Sequence, residues 1–193
     1  MKVLVIQQRP GIGDLVIFLP FIRKIVSKFN SPVSILVKAN SKADEILKND
    51  KDIDQIIYLD RSANKKRSHD GFGFFRLVGK IRVFRFDKVF IFNSSLRYRL
   101  LAKFAGIKEI HQYPLGQNKD NVITSAKELT EKVLEEQVST QPIINVDQNL
   151  VDAAKTKYNI SKEQKNIVLG ISASGEDKRW FIDRFILTCE KLN

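Results

Sequence analysis

The sequence predicts an α/β fold, a doubly wound parallel sheet, and three observations predict it. Short continuous apolar runs alternate with longer segments whose apolar residues recur every three or four positions. The first run passes straight into a glycine turn and a helix, as a strand does when it feeds a right-handed crossover. No internal repeat and no low-complexity segment interrupts the alternation.

Taken in order, residues 3–6 (Val-Leu-Val-Ile) read as a buried parallel strand. Leu15, Phe18, Leu19, Ile22, Ile25, Val26 and Phe29 then form the buried face of a helix, with Asp14 placed to cap it and Pro20 to kink it or restart it. Residues 33–37 are a second strand, 41–47 a short helix capped by Ser41, and 53–59 a third strand. A polar loop with Lys65-Lys66-Arg67 leads to residues 74–86, where Phe75, Leu77, Val78, Ile81, Val83 and Phe84 mix with Arg76, Lys80, Arg82 and Arg85. That basic amphipathic helix either packs on the sheet with its bases in water or lies against a membrane. Strands at 89–92 and 109–113 flank a helix from 95 to 105 that Gly106 stops. A surface helix follows at 122–136, an extended segment at 139–146, a helix at 150–158, a buried strand at 167–171 and a helix at 180–192. The polar stretch 137–148 divides the chain into 1–145 and 146–193. One strand and its helix cannot bury their own faces, so the second part needs a neighbour to dock on or more chain after Asn193.

The chain has 193 residues, 43% of them hydrophobic, with 33 basic and 22 acidic side chains and a net charge of +11. Such an excess points to anionic partners: nucleic acid, a membrane surface or phosphorylated substrates. No nucleic-acid reader motif accompanies it, which sets that class aside. One cysteine, Cys189, and two histidines, His69 and His111, argue against an intrachain disulfide and a zinc site. Cys189 is expected to be buried and inert, and neither histidine is expected to be catalytic. Residues 1–6 suit a strand better than a signal, and the apolar run 15–26 is broken by Pro20, Arg23 and Lys24, short of the roughly 20 residues a span needs. The chain therefore reads as cytoplasmic and soluble, with surface contact to a membrane left open.

Two loops carry the chemistry. In Arg9-Pro10-Gly11-Ile12-Gly13-Asp14 the glycines permit close approach of a ligand at the carboxyl end of the first strand. Asp14 opposes an anion there. It either caps the helix or accepts a proton from a substrate hydroxyl. The pattern lacks the third glycine and later acid of a dinucleotide site, and the Gly-Lys-Ser/Thr of a P-loop. The second loop, residues 172–180, reads Ser-Ala-Ser-Gly-Glu-Asp-Lys-Arg-Trp. Its small residues admit a phosphate that Lys178 and Arg179 neutralise. Trp180 anchors the next helix or stacks on a base. An ordinary loop remains the alternative. Arg9, Arg97 and Arg99 stand at or just after strand ends, where they face either acidic acceptor groups or water.

Together the two loops resemble glycosyltransferase family 9, the lipopolysaccharide heptosyltransferases. Residues 2–26, with Arg-Pro-Gly-Ile-Gly-Asp and then Leu-Pro-Phe-Ile-Arg, are similar to that family's amino terminus. Residues 167–185, with Ala173-Ser174 and Lys178-Arg179-Trp180, are similar to the start of its nucleotide-sugar domain. The resemblance implies a GT-B architecture of Rossmann-like domains: an acceptor-binding domain at 1–145, then the linker and start of a donor domain at 146–193. It implies metal-independent, inverting transfer of a sugar to a lipopolysaccharide core or related anionic glycolipid, with no cofactor beyond a nucleotide-sugar co-substrate, typically ADP-heptose. By match of motif, Asp14 is then the general base, and Arg9, Gly11, Gly13 and Arg97 shape the acceptor site. Ser174, Lys178 and Arg179 hold the donor diphosphate. Ser172 stands where the family usually has glycine, and Phe181 where it has proline. The family's second domain continues beyond the length present here, so the isolated chain is expected to transfer sugar poorly. The alternative from another class is a non-catalytic Rossmann-like module that binds an anionic glycan, lipid head group or protein.

Overall fold

The computed structural model describes residues 1–59, 71–116, 121–173 and 175–192. The chain divides into two compact units, Met1–Asn145 and Val146–Asn193.

In the first unit the elements run β1 (Val3–Ile6), α1 (Ile12–Phe29), β2 (Val33–Lys38), α2 (Ala43–Ile46), β3 (Ile53–Leu59), α3 (Gly71–Phe84), β4 (Lys88–Ile91), α4 (Leu96–Phe104), β5 (Glu109–Gln112) and α5 (Val122–Leu134). The five strands make one sheet in the order β3-β2-β1-β4-β5, and every pair is parallel. Strand order reverses beside β1, which places the switch point between β1 and β4, the usual ligand crevice of such sheets.

Alternation along the strands builds two cores. Val3 and Val5 of β1, Val33, Ile35 and Val37 of β2, and Phe90 of β4 face Leu15, Phe18, Leu19, Ile22 and Ile25 of α1, together with Ala126 and Leu134 of α5. Leu4 and Ile6, Leu36, and Val89 and Ile91 face Leu77, Val78 and Ile81 of α3 and Tyr98, Leu101 and Ala102 of α4. The inner strands β2, β1 and β4 are buried on both sides, which is why they read as nearly unbroken apolar runs, while the edge strands β3 and β5 are partly exposed. The sheet, its parallel sense and its helices on both faces are the doubly wound fold expected.

Several expectations need correction. Asp14 does not cap α1. The cap position is Gly11, whose backbone (φ 103°, ψ 159°) suits glycine, and the helix begins at Ile12, so Asp14 lies in its first turn. The helix continues through Pro20 to Phe29 with no second start. Ser41 is likewise no cap: its hydroxyl donates to the Lys38 carbonyl at 2.7 Å and closes a 3-10 turn, while Lys42 precedes α2.

The second unit contains α6 (Gln148–Lys157), capped by the Asp147 carboxylate, a 3-10 turn at Glu176–Lys178, and α7 (Ile182–Leu192). Residues 167–171 are neither a strand nor buried: Val168 is 92% exposed and Ile171 56%. A parallel strand exists only through its neighbour's backbone, and among the described residues this unit holds no other strand. Cys189 is exposed, not buried. Trp180 precedes α7 rather than starting it, half-exposed with its ring edge-on to Phe185 at 5.0 Å.

Candidate functional site

At the carboxyl end of β1 the chain turns out of the sheet through Gln7, Gln8, Arg9 and Pro10 into Gly11. The Gly11 carbonyl accepts the first helical hydrogen bond, from Leu15 N at 3.3 Å. Arg9 reaches over this turn, and its Nε donates to Asp14 Oδ1 at 2.8 Å. The carboxylate is 23% exposed and the guanidinium 46%, so the ion pair sits at the surface of the crevice, open to a ligand. A Cβ at Gly13 would meet nothing within 4 Å beyond its chain neighbours, and one at Gly11 would lie 3.8 Å from Asp14 Oδ2, so both glycines keep the turn around the carboxylate bare. The turn thus presents a fixed carboxylate, a neighbouring cation and bare backbone at the switch point.

Strands β4 and β5 supply the rest of this edge. Asn93 Oδ1 accepts from Ser95 N at 2.8 Å, and Ser95 Oγ accepts from Arg97 N at 3.3 Å, capping α4. Gln112 Nε2 donates to the carbonyls of Asn93 (2.8 Å) and Ser95 (2.9 Å), which ties the two strand ends together. Arg97 is not brought to the Arg9–Asp14 pair by these bonds: its guanidinium lies 5.2 Å from the centre of the Phe74 ring, on the α3 side of the sheet.

Three residues without a place in the sequence reading gather here. Gln7 is fully buried, and among the described residues neither its amide nitrogen nor its amide oxygen has a hydrogen-bond partner. The two-residue alternation from Val3 and Val5 puts Gln7 on the α1 side, under the turn that carries Asp14. Tyr113, at the end of β5, packs on the same side, its ring 6.1 Å from Phe92, and its buried hydroxyl is also unpartnered. Burial pushes the Tyr113 phenol far above its ordinary value. Gln112 Oε1 is unpartnered as well, which makes Gln112 the third such residue here. Buried polar atoms are nearly always bonded in folded proteins. Of the four residues that break this rule among the described ones, three lie at the carboxyl edge of the sheet. The one signal in the sequence is Gln7-Gln8, a polar pair directly after a buried strand.

A cleft of about 400 Å³ opens between the end of β5 and α5, lined by Gln112 and Tyr113, the cations Arg99 and Lys132, and His111. His111 stacks near Phe90 (5.0 Å), and burial pushes its pKa below the usual value, which favours the neutral ring. His69 lies outside the described residues.

In the second unit Arg179 Nε donates to the Ala173 carbonyl at 3.0 Å and closes the loop, and Lys178 stands exposed at the end of the 3-10 turn. Ser174 lies outside the described residues. Among the described residues no group of three His, Cys, Asp or Glu could hold a metal, and no helix is long and apolar enough to cross a membrane.

No protein-family model matches the sequence, and no curated protein does. Solved structures match its fold. A glycosyl transferase family 9 protein from Veillonella parvula DSM 2008 superposes over 99% of this chain with a TM-score of 0.74 at 15% identity, the chain covering 59% of it. ADP-heptose lps heptosyltransferase II of E. coli matches over the whole chain (TM-score 0.69, 16% identity, 61% of its own length), as does E. coli heptosyltransferase WaaC with ADP (0.63, 12% and 64%). The chain therefore spans about three fifths of the length of these proteins. Over that span it has the fold of the family 9 glycosyltransferases, the family its two loops resemble.

Proposed function

We propose that the chain is the acceptor-binding part, with the opening of the donor-binding part, of a metal-independent inverting glycosyltransferase. Its fold is shared with a family 9 glycosyltransferase and with heptosyltransferases, one of them solved with ADP and with ADP-2-deoxy-2-fluoro heptose. The observation that carries the reading is the Asp14 carboxylate. It stands at the switch point, open on one side, and is gripped through one oxygen by Arg9 at 2.8 Å. An acceptor hydroxyl arriving beside Gly13 gives its proton to Oδ2 as its oxygen attacks the anomeric carbon of the donor. The bond from that carbon to the diphosphate breaks on the opposite face, and the configuration inverts. Arg9 fixes the carboxylate's orientation, and the protonated acid passes its proton to water after release.

The donor is a nucleotide-diphosphate sugar, ADP-heptose by likeness to the neighbours, and Lys178, Arg179 and Ser174 balance the charge on the departing diphosphate. The acceptor is an anionic, lipid-linked glycan of the lipopolysaccharide core type, whose acidic groups Arg99 and Lys132 meet along the cleft beside Tyr113. The place of work is the cytoplasmic face of the inner membrane.

The test is sugar transfer by the full-length protein, followed by release of nucleoside diphosphate. Asp14→Asn keeps the shape and removes the base, so turnover is expected to fall about 10²–10⁴-fold with donor affinity unchanged. Undiminished turnover would remove Asp14 from the chemistry and leave a non-catalytic glycan- or lipid-binding module as the better reading.

A further inference from the structure

The α3–α4 layer is built unlike the rest of the surface. Between residues 71 and 108 nine lysines and arginines stand against one acid, Asp87, so this segment carries +8 of the chain's net +11. Asp87 is already engaged by the backbone N–H of Lys2 at 2.7 Å. The core side of the layer is complete, with Leu77, Val78, Ile81 and Leu101 buried against the sheet. Its outer side nonetheless carries apolar groups: Phe75 is 63% exposed, Val83 78% and Phe104 49%. Phe74, Phe75 and Phe104 form one aromatic cluster, with ring centroids 5.6, 6.2 and 6.4 Å apart. Arg82 Nη2 donates to the Phe104 carbonyl at 2.7 Å, which locks α3 to α4 beneath the cluster. Exposed Arg76, Lys80 and Lys103 stand on the same two helices.

We propose that this face docks the protein on an anionic membrane surface. The aromatic cluster enters the boundary between head groups and acyl chains, and the surrounding bases meet anionic head groups. Charge decides among occupants. A second copy would set the exposed Arg76, Lys80 and Lys103 of this face against the same bases. Single-stranded nucleic acid needs flat ring faces to stack on, whereas Phe74 meets both Phe75 and Phe104 edge-on, at 79° and 86°. The proposal does not depend on the catalytic reading, because it is tested without turnover.

The chain as it stands is sedimented with phosphatidylcholine vesicles with and without phosphatidylglycerol, and titrated against a single-stranded oligonucleotide. Binding is expected to anionic vesicles only and to fall at high salt. Phe75→Ser with Phe104→Ser should weaken it at least about tenfold, the loss of ring burial. Lys80→Glu with Lys103→Glu should weaken it at low salt and abolish most of its salt dependence. Far-UV circular dichroism melts of both variants should match the parent, since all four side chains point outward. Absence of vesicle binding, vesicle binding indifferent to the Phe75/Phe104 change, or tighter binding to the oligonucleotide would each overturn the proposal.

Discussion

Gln7→Met offers the sharpest test of how the site is held. The side chain is fully buried just after β1, and among the described residues neither amide atom has a partner. An unmet buried polar group costs about 1–3 kcal/mol. Methionine has nearly the same length and volume and carries no such group, so the penalty disappears while packing against the neighbouring core is kept. The variant should therefore be more stable by about 1–3 kcal/mol, a rise in melting temperature of about 3 °C for each kcal/mol in a chain of this size. Turnover should move the opposite way, because a polar atom kept at such a cost beside the base is kept for the ligand. The assay is a circular dichroism melt paired with transfer by the full-length protein. A variant less stable than the parent with undiminished turnover would refute the reasoning: it would make the Gln7 amide an ordinary satisfied structural group, unconnected with Asp14.

Other expectations follow from the same geometry. Gly11→Ala forces an L side chain to φ 103° and should cost about 1–3 kcal/mol. Gly13→Ala meets nothing within 4 Å and should hold or raise stability, yet lower turnover by filling the face beside Asp14; thermal melts and kinetics on the pair separate strain from obstruction. Arg23 grips Asp50 through Nη2 (2.5 Å) and Nη1 (2.7 Å) and Asp52 at 2.6 Å, so Arg23→Met strands a carboxylate only 4% exposed and should cost about 3–5 kcal/mol in urea unfolding. Arg23 also holds the Asp50 carboxyl below its ordinary 3.8. That contribution is full above pH 3.8 and lost as pH falls through the lower folded value, so Arg23→Met should flatten the fall in stability below pH 4. Lys24 (2.5 Å) and Lys28 (2.7 Å) hold Glu136 down to about 2, and an NMR titration in high salt should show it moving back up toward 4.5.

What the sequence showed of this fold and what it hid have one physical cause. Strands β1, β2 and β4 lie between two helical layers, and burial on both sides writes itself as an apolar run that needs no tertiary knowledge to read. The Gly11-Ile12-Gly13-Asp14 turn was legible for a similar reason, since glycine spacing is a local property. Of the two roles the sequence allows Asp14, capping falls away because the helix starts one residue after Gly11, whose positive φ makes the turn without a side-chain cap. Gln7 and Tyr113 were not legible at all. They are over a hundred positions apart, and only the order β1-β4-β5 puts their strand ends on one edge of the sheet. Strand order is a long-range fact that no single run of residues contains. The same reasoning explains residues 167–171. An apolar run specifies that a segment gains by burial, but it becomes a strand only where another backbone offers the matching hydrogen bonds. Residues 3–6 have β2 and β4 on either side; residues 167–171 have neither among the described residues. Pattern therefore identified both segments as candidates, and pairing alone decided which one is a strand.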